Sequence, residues 1–118
     1  LNTIYFDLNK AEIRDEDKLK LDKIVKVLND NPRIEIELGS HTDCRASKAY
    51  NQNLSNKRAL NSAKYIKSRI SNPTRVKYKG YGETELKTDC PCENDVISDC
   101  SEEQHQMNRR TEFKIIKL

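Results

Sequence analysis

Long hydrophobic runs are missing from this chain: nowhere do apolar residues continue for the roughly 18 to 20 positions that a membrane-spanning helix requires. A charge excess of one sign is missing too. The 22 lysines and arginines stand against 19 aspartates and glutamates, a net +3, and both signs are scattered along the chain. With no basic stripe interleaved with aromatics, nucleic acid is not an expected partner. Methionine is nearly absent, Met107 alone, and the chain opens at Leu1 in a strand-like stretch. It therefore reads as a domain excised from a longer protein, with any signal peptide or anchor upstream. Internal repeats and low-complexity segments are lacking as well. So is a catalytic or metal constellation: His41 and His105 have neither an activated nucleophile nor three or four converging ligands beside them. No catalytic residue, metal or cofactor is expected, and His41 is read as structural, fixing the turn beside it.

What is present fits a single domain over residues 1–118 with a modest core and a heavily solvated surface, since 35% of residues are hydrophobic and the mean hydropathy is −0.93. The four cysteines, Cys44, Cys90, Cys92 and Cys100, are an even number, three of them crowded together. That favours two disulfides over a four-thiolate zinc site, because Cys90-Pro91-Cys92 leaves one residue between cysteines where structural zinc sites leave two to four.

The apolar residues are periodic. Residues 3 to 8 are rich in β-formers and predict a first strand, and Asp15 predicts the cap of a helix in which Leu21, Ile24, Val25 and Leu28 share one face up to Asn31-Pro32. A second strand from Arg33 to about Leu38 alternates Ile34, Ile36 and Leu38 with Glu35 and Glu37. Ser47 to Asn53 predicts a short helical turn, and Ser55 the cap of a longer helix carrying Ala59, Ala63, Ile66 and Ile70 and stopping at Asn72-Pro73. A third strand spans Arg75 to Tyr81, with Tyr65, Tyr78 and Tyr81 read as core or rim packing. A long loop from Glu83 to Asp99 follows, then a short helix from Ser101 with capping-box spacing and a last strand from Thr111 through Phe113 and Ile115. The expected fold is α+β, a two-layer sandwich of order β-α-β-α-β-(short α)-β, with a mixed four-stranded sheet and two long helices on one face.

At the end of the second strand stands Thr42-Asp43, and fifteen residues after the aspartate comes Arg58, at the predicted helix start. An aspartate holds an ammonium group, and an arginine fork beside free helix N–H groups draws a carboxylate, so the pair suits a zwitterion. The competing reading is an exposed Asp43–Arg58 ion pair, worth about 0 to 1 kcal/mol.

Five segments occur in order: Ile4-Tyr-Phe-Asp-Leu-Asn9, His41-Thr-Asp43, Tyr50-Asn-Gln-Asn-Leu-Ser55 with Arg58-Ala59, Gly80-Tyr-Gly-Glu83 and Met107-Asn-Arg-Arg110. Together they resemble the OmpA-like peptidoglycan-binding domain of outer-membrane barrels, Pal-type lipoproteins and MotB-type flagellar stators. The cysteine-bearing loop resembles versions from the Bacteroidetes. Ser40 and Ala46 stand where the family commonly has glycine. The resemblance implies non-catalytic binding of the cell-wall stem peptide through its diamino acid, usually meso-diaminopimelate, by Asp43 and Arg58. It implies supporting contacts from Asp7, Asn9, Thr42, Asn51, Leu54, Asn108 and Arg109. From the residues themselves, Tyr50 is read as bordering the ligand, and alternation along the last strand turns Arg110 away from Arg109, towards a neighbour such as Glu112. The parent protein would be anchored in a membrane through its missing region, with this domain in the periplasm of an outer-membrane protein or lipoprotein. Two other functions remain open: a protein-interaction or oligomerisation module of an envelope complex, and a cell-wall hydrolase. The disulfide pairing expected is Cys44 with Cys90 and Cys92 with Cys100. Oligomeric state has no signal in the sequence.

Overall fold

The computed structural model describes residues 3–84 and 100–118, together with the backbone of 92–93 and 96–97. The first strand is shorter than its β-forming run: β1 is Ile4–Tyr5. Phe6 N–H still donates to the Arg109 carbonyl at 2.9 Å, but the chain then turns, with Lys10 N–H on the Asp7 carbonyl at 3.1 Å and Asn9 at a left-handed φ of 59°. Asparagine tolerates that conformation better than most residues.

Helix α1 is Asp15–Asp30 and buries Leu21, Ile24 and Leu28, the expected stripe. The residue at its cap position is Arg14, with no side-chain cap bond, so Asp15 is not the cap. It belongs instead to an acidic first turn, Asp15 to Asp17, that suits the helix dipole. Arg14 Nε ties that turn by donating to Asp17 Oδ2 at 2.8 Å.

Strand β2 (Glu35–Ser40) runs two residues further than predicted and alternates in burial, with Ile36, Leu38 and Ser40 inward. Helix α2 is one continuous helix, Lys48–Lys67, and Ser47 is its cap, accepting from Tyr50 N–H at 3.1 Å. The predicted break before Ser55 is absent. Nothing between Ser47 and Lys67 interrupts the helix, and the Ser55 hydroxyl donates back to the Gln52 carbonyl at 2.9 Å. Arg58 therefore sits near the middle of α2, away from any helix start.

A 3₁₀ turn at Pro73–Arg75 leads into β3, Val76–Gly80. Short strands β4 (Cys92–Glu93) and β5 (Val96–Ile97) pair antiparallel, α3 is Glu102–Gln106, and β6 is Arg110–Lys117. The capping box of α3 is formed: Ser101 accepts from Gln104 N–H at 3.2 Å and the Gln104 side chain accepts from Ser101 N–H at 2.8 Å.

The main sheet has the order β1-β6-β2-β3, with β2 and β3 parallel and the other neighbours antiparallel. It is a mixed four-stranded sheet with α1 and α2 on one face, as the sequence predicts. Between the layers lie Ile4, Phe6, Leu21, Ile24, Leu28, Ile36, Leu38, Ala63, Ile66 and Val76. The other face is wet and carries charges in register, Glu37 standing beside Lys77 on β3 and Lys114 on β6. Tyr65 and Tyr78 lie at the rim, the Tyr65 hydroxyl donating to Asp22 and Lys67 reaching over Tyr78.

Cys44 and Cys100 are both disulfide-bonded. Cys90 and the side chain of Cys92 lie outside the described residues, and so does the expected pairing.

Candidate functional site

The C-terminal end of β2 and the middle of α2 meet through the Gly80–Glu83 segment. A Cβ on Gly80 would come within 2.5 Å of the Asn56 backbone nitrogen and 2.7 Å of the Ser55 hydroxyl, so only glycine lets strand and helix approach this closely. Gly82, at φ +60°, donates its N–H to the Ser55 hydroxyl at 2.9 Å and accepts from Thr42 N–H at 2.9 Å. These contacts seat Thr42 and Asp43 beside α2.

The result is a cavity of about 220 Å³. One wall is the turn after β1, Leu8 and Asn9; the floor is Thr42 and Asp43, with Arg45 and Ala46 behind them. α2 supplies Asn51, Leu54 and Arg58, and the end of α3 leads to Arg109. Of the residues singled out in the sequence, the structure brings Asn9, Thr42, Asp43, Asn51, Leu54, Arg58 and Arg109 together here.

Asp7 and Asn108 are not in this lining. The Asp7 side chain is exposed and faces Arg14 at 3.7 Å, its share in the site being a carbonyl that accepts from Arg58. Asn108 is fully buried.

Arg58 is completely buried. It donates to three carbonyls, from Nε to Lys10 at 2.9 Å, from Nη1 to His41 at 3.0 Å and from Nη2 to Asp7 at 3.1 Å, and stacks over Phe6 at 5.0 Å. Among the described residues no carboxylate forms an ion pair with it, so the reading of an exposed Asp43–Arg58 salt bridge is excluded. Burial, with the Arg109 charge nearby, lowers its pKa to about 10, and it remains a cation at neutral pH.

Asp43 belongs to a closed ring of charges. Its Oδ2 accepts from Arg45 Nη2 at 2.8 Å, Arg45 Nε at 3.2 Å and Arg109 Nη1 at 3.1 Å. The same two arginines reach Glu102, Arg45 at 2.9 Å and Arg109 at 2.8 Å. Burial alone would raise the Asp43 pKa, but the bonds from Arg45 and Arg109 outweigh it and hold the carboxyl below its usual range. Among the described residues Oδ1 accepts only the Arg45 N–H, at 3.1 Å. Arg45, Glu102 and Gln106, whose Oε1 accepts from Arg109 at 2.6 Å, were not foreseen. Glu102 and Gln106 are brought to Asp43 from far along the chain, and Arg45, two residues from Asp43, carries no local pattern that signals the pairing.

Thr42 is 2% exposed, and its hydroxyl has no hydrogen-bond partner among the described residues. His41 turns the other way, stacking on Tyr81 with ring centres 5.2 Å apart, and burial pushes its pKa down to about 4. Arg110 pairs with Glu112 outside the cavity. A larger open groove of about 920 Å³ runs along the C-terminal end of α2, but its polar groups are already engaged or in water: the Tyr65 hydroxyl is on Asp22 and the Asn61 amide on the Ala11 carbonyl. The small cavity has the buried, incompletely partnered groups a ligand needs.

Residues 5–98 match the model of the OmpA family. The chain belongs to the OmpA family. Members of this family are non-catalytic binding domains. Outer membrane protein A of Bordetella avium is 27% identical over 112 residues, which cover 95% of this chain and 53% of that protein. The chain spans about half the length of that relative and 12% of a second, much longer one. Among solved structures, the peptidoglycan-associated lipoprotein of Burkholderia pseudomallei superposes with a TM-score of 0.83 at 19% identity, covering 98% of this chain and 90% of that one. The cell wall anchor of the T6SS from Pseudomonas aeruginosa gives a TM-score of 0.76 at 25% identity, covering 98% of this chain and 80% of that one.

Proposed function

We propose that this domain attaches its parent protein to peptidoglycan by gripping the zwitterionic end of meso-diaminopimelate in the stem peptide. The observation that carries this reading is the Arg58 guanidinium, fully buried at a cavity with no carboxylate paired to it among the described residues. A buried charge without a counter-ion is costly, and a carboxylate entering the cavity removes that cost. The Thr42 hydroxyl supplies a second contact. The ammonium goes to Asp43 Oδ1, since an ionised carboxylate offers about two acceptor sites per oxygen and this oxygen has one filled. Helix N–H groups play no part in the grip, because Arg58 lies mid-helix.

Selectivity follows from the same charge. A lysine- or ornithine-type wall brings an ammonium without the carboxylate and forfeits charge-assisted bonds worth about 1.5 to 3 kcal/mol each. Modest affinity for one stem peptide suffices, since the wall repeats the group and a membrane-held parent meets many copies at once. The parent is then an outer-membrane protein or lipoprotein, with this domain in the periplasm tethering membrane to wall.

The test is co-sedimentation with purified sacculi. Wild type should pellet with diaminopimelate-type sacculi, much less with lysine-type, and Asp43→Asn should stay in the supernatant. Equal pelleting of Asp43→Asn and wild type overturns the assignment, and clearing of the suspension marks a hydrolase instead.

A further inference from the structure

A second concavity opens directly off the site. It has a volume of about 320 Å³ and shares Asn9 and Leu54 with the first, so the two are chambers of one groove with Leu54 as the common wall. The reason lies in α2. Asn51, Leu54 and Arg58 follow the i, i+3, i+7 spacing of one helix stripe and line the first chamber. Tyr50, Asn53 and Lys57 follow the same spacing one residue out of step, and line the second. The opposite bank is the turn after β1, where Lys10 contributes a carbonyl to Arg58 and also lines the second chamber. The Asn61 amide pins the Ala11 carbonyl behind it at 2.8 Å.

The charges of this chamber are unspent. Lys10 and Lys57 are exposed and form no ion pair among the described residues, whereas Lys18 and Lys26 of α1 each hold an aspartate at 2.8 Å. Among the described residues Glu12 is the one acid in the lining, leaving two cations against one anion, and the half-exposed Tyr50 ring offers an apolar surface. A cationic groove opening off the head-group chamber is placed to read the residue joined to the other end of the gripped diamino acid.

Resting on the head-group reading above, the geometry points to a second subsite: Lys57, with Lys10 opposite, takes a free carboxylate carried by the residue adjoining the gripped diamino acid. The domain then reads an acidic dipeptide rather than a single amino acid. A wall in which that carboxylate is amidated is a poorer ligand.

Calorimetric titration separates the two chambers. The probes are free meso-diaminopimelate, γ-D-glutamyl-meso-diaminopimelate and the same dipeptide with its free glutamyl carboxyl amidated. Wild type should bind the acidic dipeptide about tenfold tighter than the free amino acid, the effect of one exposed charge-assisted contact. Lys57→Met should bind free meso-diaminopimelate as wild type does but lose that gain, Lys57→Arg should keep it, and the amidated dipeptide should show none. A gain that is absent, or that survives both Lys57→Met and amidation, overturns the subsite and leaves the head-group site standing. Failure of wild type to bind free meso-diaminopimelate overturns the head-group site and the subsite with it.

Discussion

Replacing Arg58 by methionine keeps much of the side-chain volume but removes the charge and every donor, and the structure sets the size of the effect. The guanidinium meets the carbonyls of Asp7, Lys10 and His41, which hold the turn after β1 and the end of β2 in place. Orphaning a buried acceptor costs about 1 to 3 kcal/mol, so three cost about 6. Against this stands the burden of burying the cation: a pKa lowered from 12.5 to about 10 corresponds to about 3 kcal/mol that methionine does not bear. The net loss is about 3 kcal/mol, or a melting temperature lower by about 12 °C at about 4 °C per kcal/mol for a domain of this size. Arg58→Met should therefore melt early in a circular dichroism scan as well as fail to bind wall. A melting point within about 3 °C of wild type would refute the view that Arg58 is a structural strut as well as a ligand contact.

Thr42→Val should behave in the opposite way. Its hydroxyl is buried without a partner among the described residues, so valine should leave thermal stability equal or raise it by up to about 1 kcal/mol, while weakening sacculus binding several-fold. Unimpaired binding would remove Thr42 from the site. The buried imidazole of His41 sets a pH dependence of its own: with the pKa at about 4 when folded and 6.5 ordinarily, the unfolded chain takes up the proton first. Stability should be complete above pH 6.5 and fall by at most about 3 kcal/mol as pH drops towards 4, a loss that His41→Phe should abolish in urea titrations. Asp43 adds nothing in that window. Its folded pKa lies below the ordinary 3.8, so its ionised form persists and its contribution disappears only at lower pH.

The elements whose residues carry their own periodicity were legible. The apolar stripe of α1, the alternation in β2 and the reciprocal cap at Ser101 and Gln104 all stand where local physics puts them. Serine chemistry misled at Ser55, because a hydroxyl that caps one helix can equally bond back inside another, and that moved Arg58 from a helix start to mid-helix. Arg75 escaped notice for a related reason. It is 4% exposed and donates to the carbonyls of Leu28, Asn31, Ile34, Ser71 and Asn72, and a buried arginine satisfied wholly by backbone looks in sequence like any surface arginine. The positions of Asp43 and Arg58 were legible through their motifs. The ring that holds Asp43 was not, since Arg45 and Glu102 stand 57 residues apart and only the folded sheet brings α3 to β2.

A crystal structure of the domain soaked with meso-diaminopimelate shows directly whether the cavity grips the amino acid. A carboxylate should lie within hydrogen-bond reach of the Arg58 guanidinium and the Thr42 hydroxyl, with the ammonium on Asp43. An empty cavity at saturating ligand, or the amino acid bound elsewhere with the Arg58 side chain unvisited, would contradict it.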